Sequence, residues 1–113
     1  MKIIIQDTAH KSIDNIFEYL SNYSISNAIE TTELIYEYIY SISQSPYIGK
    51  YVLKISNKNI REIICQRYKN GYRIIYYINK FSKTVYILYV ANAKQNFNHI
   101  LKVNNYFKNV LNY

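Results

Sequence analysis

From Ile60 to Asn92 the residue pattern confines the chain to one kind of structure, a run of antiparallel strands. The stretch Tyr72 to Asn79 is built almost wholly from β-branched and aromatic residues, which suit a pleated, half-buried surface. On its N-terminal side Ile60 to Tyr68 ends at Lys69-Asn70-Gly71, and Asn-Gly is the strongest short hairpin signal because both residues tolerate positive φ. On its C-terminal side Lys80-Phe81-Ser82-Lys83 turns the chain into a third strand, Thr84 to Ala91. Strands this apolar need cover on at least one face, so helices are expected from the rest of the chain.

Those helices can be read from periodicity. Lys2 to Ile5 is a short apolar strand, after which Asp7 and Thr8 offer side-chain oxygens to cap a helix. Ala9, Ile13, Ile16, Phe17 and Leu20 then form a helical stripe over about 9–22. After a short polar break, Asn27 and Glu30 resemble a capping box, and a second helix runs over about 26–43 with Ala28, Thr32, Ile35, Tyr36, Ile39 and Ile42 on one face. So short a link makes the two an antiparallel hairpin. Ser45-Pro46 ends the second helix, Gly49 closes a turn, and Lys50 to Ser56 alternates as a strand or extended lead-in. Lys94 to Leu111 carries Phe97, Ile100, Leu101, Phe107 and Leu111 at helical spacing, an amphipathic C-terminal helix. The expected fold is α+β, a single domain over 1–113, with a helical hairpin packed on a three- to four-stranded antiparallel sheet.

Charge is divided unevenly along this plan. All seven acidic residues lie in the first 62 positions, whereas residues 63–113 hold eight of the 14 basic residues and no acid. A field of one sign over the sheet and tail favours an anionic partner, either nucleic acid or an acidic protein segment. The 15 tyrosines are a weaker guide, because an AT-rich coding sequence enriches Tyr, Ile, Asn and Lys together. No apolar run approaches the roughly 20 residues of a membrane span, and Met1-Lys2 opens no signal peptide, so the chain reads as cytoplasmic with no membrane partner. Cys65 is alone and sits at a strand position that suggests a buried thiol. His10, His99 and Cys65 lie too far apart for metal-ligand spacing, and two glycines cannot make a phosphate loop; no metal or cofactor is expected.

Four local patterns in this order carry a resemblance: Pro46-Tyr47-Ile48-Gly49-Lys50, Ile60-Arg61-Glu62-Ile63, Gly71-Tyr72-Arg73-Ile74-Ile75-Tyr76, and Val85-Tyr86-Ile87-Leu88-Tyr89-Val90. Together they resemble the RelE/ParE superfamily of toxins from type II toxin–antitoxin modules, over nearly the whole chain to about Phe97. The resemblance implies a toxin neutralised by a small, acidic cognate antitoxin and directed at an essential nucleic-acid machine. Members like RelE cleave mRNA on the ribosome with strand lysines and arginines and a C-terminal tyrosine or histidine. Here Arg73 matches, but the expected lysines fall on Ile64 and Gln66, the later arginine near Gln95 and the terminal residue near His99. Arg73, Lys94 and His99 would form the catalytic set of a metal-independent endoribonuclease only in a reduced version. ParE-like members bind DNA gyrase and need no such set. Arg61-Glu62 and the stretch Val90 to Gln95 lean that way, so DNA gyrase is the favoured target, with the ribosome and mRNA, or a degenerate non-toxic member, as alternatives. The residues expected to meet target or antitoxin are Arg61, Arg67, Lys69, Arg73, Lys94, Phe97 and Leu101.

Overall fold

The computed structural model describes residues 1–52 and 59–94. The chain runs β1 (Lys2–Ile5), α1 (Asp7–Ser21), α2 (Ile25–Gln44), β2 (Lys50–Tyr51), β3 (Ile60–Arg67), β4 (Asn70–Asn79) and β5 (Thr84–Asn92). The sheet has five strands in the order β1-β5-β4-β3-β2, and both helices lie on one of its faces. The expected C-terminal helix, with Phe97, His99 and Leu101, lies outside the described residues.

The expected antiparallel sheet is present as β2 to β5, and the N-terminal strand makes the whole sheet mixed. β3, β4 and β5 form the antiparallel meander, but β1 joins it parallel to β5, with Lys2 opposite Thr84 and Ile5 opposite Ile87. The cause is backbone satisfaction: a four-residue apolar run must pair its N–H and C=O groups, and the meander leaves the edge of β5 open to it.

Burial follows the periods read from sequence. Ala9 and Ile13 of α1 and Ile35, Ile39 and Ile42 of α2 meet Cys65, Tyr72, Ile74, Tyr76, Ile78, Val85, Ile87 and Val90 in one core. On α2 the stripe is Ala28, Thr31, Ile35, Ile39 and Ile42, so Thr31 and not Thr32 faces inward. A second apolar cluster occupies the other face of the sheet, formed by Val52, Ile60, Ile75, Leu88 and Ala91 with Tyr77, Tyr86 and Tyr89 beside it.

Both proposed helix caps are corrected. Gln6, with no side-chain bond, is the N-cap of α1. Thr8 instead donates its hydroxyl to the Leu88 carbonyl at 2.9 Å. That carbonyl belongs to a bulge, for Tyr76 pairs with Ile87 and Ile75 with Tyr89, leaving Leu88 the extra residue of β5. Ser12 completes the attachment: its Oγ accepts from Val90 N at 3.0 Å and donates to Ala9 O at 2.7 Å. At α2 the cap is Ser24, whose Oγ accepts from Asn27 N at 3.2 Å, so Asn27 is already inside the helix.

The β3–β4 turn also differs from expectation. Arg67 pairs with Asn70, so the loop residues are Tyr68 and Lys69, and Tyr68 takes φ 52°. Asn70-Gly71 lies in β4. Moving the turn onto Asn-Gly would slide β3 by four residues against β4, taking Cys65 from its place opposite Tyr72 to one opposite Tyr76. Gly71 is needed instead for close approach, because a Cβ there would stand 3.1 Å from Gln66 Oε1 and 3.2 Å from Ala93 Cβ.

Cys65 is fully buried, and that burial pushes its thiol up to about 11 from the ordinary 9.0. The folded state therefore holds the proton after the unfolded chain has released it. Stability is full below about pH 9 and falls between 9 and 11, by roughly 2–3 kcal/mol in all. Burial raises Tyr72 and Tyr76 as well, so the decline continues at higher pH. Urea midpoints measured from pH 7 to 11 should show this fall, and Cys65→Ala should flatten its first part.

Candidate functional site

The cations singled out by sequence fall into three different settings. Arg61, on the helix-side face of β3, is committed to the loop that follows α2. Its guanidinium donates to Gly49 O at 2.8 Å and Tyr47 O at 3.3 Å, and lies over the Tyr47 and Tyr51 rings at 5.1 and 4.6 Å. From the sheet, the Tyr76 hydroxyl donates to Pro46 O at 2.8 Å and accepts from Gly49 N at 2.9 Å. The Pro46–Lys50 pattern is thus a loop gripped from two sides by β3 and β4.

Arg67 is a clamp between the end of β3 and the start of α2. It meets Glu30 Oε2 at 2.7 Å and Asn27 Oδ1 at 3.3 Å, and its guanidinium stacks 4.8 Å from the Tyr68 ring centre. Lys69, in the neighbouring turn, is exposed.

Arg73 lies on the opposite face of the sheet from the helices. Its partners across the sheet are Ile64 on β3 and Ala91 on β5. Gln66, opposite Gly71, shares that face, so the two positions where a ribonuclease would carry lysines do flank Arg73, as isoleucine and glutamine. The near charge is Glu62, whose side chain is 7% exposed. Arg73 approaches it at 3.7 Å and Lys50 at 3.9 Å, both beyond hydrogen-bond range. Glu62 Oε2 and Arg73 Nε are consequently buried without hydrogen-bond partners.

Lys94 follows β5 in a turn fixed by Asn92, whose Oδ1 accepts from Lys94 N at 2.9 Å. Being exposed, it reaches solvent at the mouth of a cleft of about 560 Å³ under the C-terminal half of α1. Ser12, Asn15, Ile16, Tyr19, Asn70, Tyr72 and Asn92 are among its walls. Arg73 pairs with Ala91 of β5 on the face away from the helices and Lys94 lies two residues past the end of β5 at the helix-side cleft, while His99, the third member of the reduced catalytic set, lies outside the described residues. Phe97 and Leu101 lie outside them too.

The sequence placed Glu62 and Tyr76 in motifs without their partners, and it did not point to the cleft. The partner of Glu62 could have been found, since a lone carboxylate at an inward position of an apolar strand requires a cation on the next strand. Tyr76 and the cleft depend on Gly49, Asn15 and Tyr19, all distant in the chain.

A family model described as the ParE toxin of type II toxin–antitoxin system, parDE, matches residues 3–97. No curated protein sequence matches the chain significantly. Among solved structures, the chromosomal ParDE toxin–antitoxin system from P. aeruginosa matches with TM-score 0.66 and 16% identity, over 83% of this chain and 97% of that one. The toxin–antitoxin complex RelBE2 from Mycobacterium tuberculosis matches with TM-score 0.58 and 18% identity, over 80% of this chain and 95% of that one. At such identities these two likenesses concern the fold.

Proposed function

The chain belongs to the ParE toxin family of type II toxin–antitoxin systems, and from that premise we propose that it acts by binding DNA gyrase and is held inactive by a small acidic antitoxin. The observation that carries the choice of target is the register around Arg73. Cleaving a phosphodiester without a metal requires a base, an acid and several cations to hold the developing charge. On the face where that set would stand, Arg73 has Ile64 and Gln66 beside it and Glu62 partly balancing its charge. Among the described residues the cations near Glu62 on this face are Arg73 and Lys50, both drawn toward that carboxylate, an arrangement suited to recognition.

The antitoxin reading rests on charge and apolar surface together. The chain after residue 62 carries no acid, while the carboxylates that could neutralise it from within sit on the helices and on Glu62. A flexible acidic segment that orders on binding would meet Lys69, Arg73 and Lys94 with its carboxylates. Its apolar anchors would carry most of the affinity, and rim charges would mainly speed encounter. Arg61 and Arg67 contribute to this surface by holding its loops, because their guanidinium groups are already engaged.

Expression in cells separates the possibilities. A gyrase binder should arrest growth and change plasmid topology while mRNA 5′ ends stay as before. Codon-phased cuts in translated messages with unchanged topology would instead identify a ribosome-dependent mRNA interferase, and normal growth would identify a non-toxic member.

A further inference from the structure

We propose that the turn between β4 and β5 is the anchor by which this chain grips its protein target, with Phe81 entering an apolar pocket that acidic residues surround. The proposal rests on the reading of the chain as a toxin that acts by binding, and it concerns the target, not the antitoxin. Phe81 stands wholly in solvent, with an exposure of 102%. An aromatic ring left in water contributes no burial to folding, and a turn is served as well by Ser, Asn, Asp or Gly. The fold does not need this ring.

The turn nevertheless holds it rigidly. Asn79 pairs with Thr84 at the base. The Asn79 Oδ1 accepts from Phe81 N at 3.1 Å and from Ser82 N at 3.2 Å. The Thr84 hydroxyl donates to Ser82 O at 3.1 Å, and Lys2 N donates to Lys83 O at 3.1 Å. A side chain on a fixed backbone loses less freedom on binding, which favours a shaped pocket over a fluid surface. One ring also supplies little apolar area for attachment to a bilayer. Cations frame it: Lys80 and Lys83 lie on either side in the turn, and Lys2 is opposite Thr84 on β1, all three exposed. No acid occurs in Met1 to Gln6 or in Tyr72 to Asn92, so the complementary rim is acidic.

The turn is at the far end of β4 from Arg73, since Arg73 to Asn79 spans about 20 Å of extended strand. One protein interface of ordinary size covers such a span, so Arg73 and Phe81 can serve one target. An antitoxin segment on Lys69, Arg73 and Lys94 leaves Phe81 free.

The test compares full-length wild type with Phe81→Ser, Phe81→Leu and Lys80→Glu in growth arrest, gyrase supercoiling and thermal unfolding. Phe81→Ser should melt within about 1 °C of wild type, because the ring buries nothing. It should need about tenfold more protein to inhibit supercoiling, and it should restore growth. Phe81→Leu should recover part of both effects, and Lys80→Glu should weaken inhibition only about threefold, through slower encounter. Wild-type inhibition and toxicity in a folded Phe81→Ser overturns the proposal and leaves the gyrase reading standing. Growth arrest that Phe81→Ser relieves, with supercoiling normal throughout, overturns gyrase as the target and keeps the anchor. Binding of wild type to phosphatidylglycerol vesicles or to a DNA duplex, lost in Phe81→Ser, would show the ring entering a lipid layer or a base stack and overturns the protein pocket.

Discussion

Gly49→Ala should be among the most damaging single methyl additions to this protein. The new Cβ would fall on the Tyr76 hydroxyl and stand 2.8 Å from the Glu62 carbonyl, which is backbone and cannot move aside. Relief requires displacing the Tyr76 ring or the loop, and either breaks the two hydrogen bonds that Tyr76 makes to Gly49 N and Pro46 O. Overpacking and two lost buried hydrogen bonds together suggest about 3–5 kcal/mol, a fall in Tm on the order of 15 °C or more. The requirement is for space, since Gly49 has no positive φ. Gly71→Ala is the matched control: its new methyl would meet side-chain atoms at 3.1 and 3.2 Å, and they can shift, so a loss of about 1 kcal/mol is expected. Thermal unfolding of both variants checks the pair of expectations, and equal losses would show that the grip of Tyr76 on the loop is not what makes Gly49 necessary.

The second large effect lies at Arg73. Arg73→Glu should abolish toxicity and weaken antitoxin binding, but it also sets a second carboxylate beside Glu62, a nearly buried side chain. Loss of activity in that variant could then follow from instability alone. A cycle with Glu62→Gln, Arg73→Gln and the double variant separates the two effects. Removing either charge alone leaves its partner poorly compensated and should cost about 2–3 kcal/mol, whereas removing both should cost about 1 kcal/mol. Toxicity should stay lost in the well-folded double variant, because the cation is missing from the working face. A double variant that folds and remains fully toxic would move the working surface elsewhere.

How much of this was legible in the residues depends on whether the information was local. Helix positions were, because apolar residues at helical spacing mark a face: α1 and α2 begin and end within two residues of expectation. The meander was legible from Tyr72 to Asn79 and its neighbours. The partner of β1 was not, since Lys2 to Ile5 says only that it is a strand. The turn at Tyr68-Lys69 was not legible, because the observed β3–β4 register places it two residues before Asn-Gly, with tyrosine accepting the positive φ that Asn-Gly would have taken more easily. Cations were the least legible feature. Arg61, Arg67 and Arg73 look alike in sequence, yet one holds a loop, one clamps a helix and one faces Glu62, because their partners Gly49, Glu30 and Glu62 are set by the fold.

The central claim is that this toxin works by binding gyrase, and purified components test it most directly. DNA gyrase, relaxed plasmid and ATP should be combined with the full-length chain, and translating ribosomes on a defined message should receive the same preparation. The account predicts inhibited supercoiling, relief of that inhibition by the cognate antitoxin, and an intact message. Normal supercoiling together with cuts in the message at the ribosomal A site would contradict it.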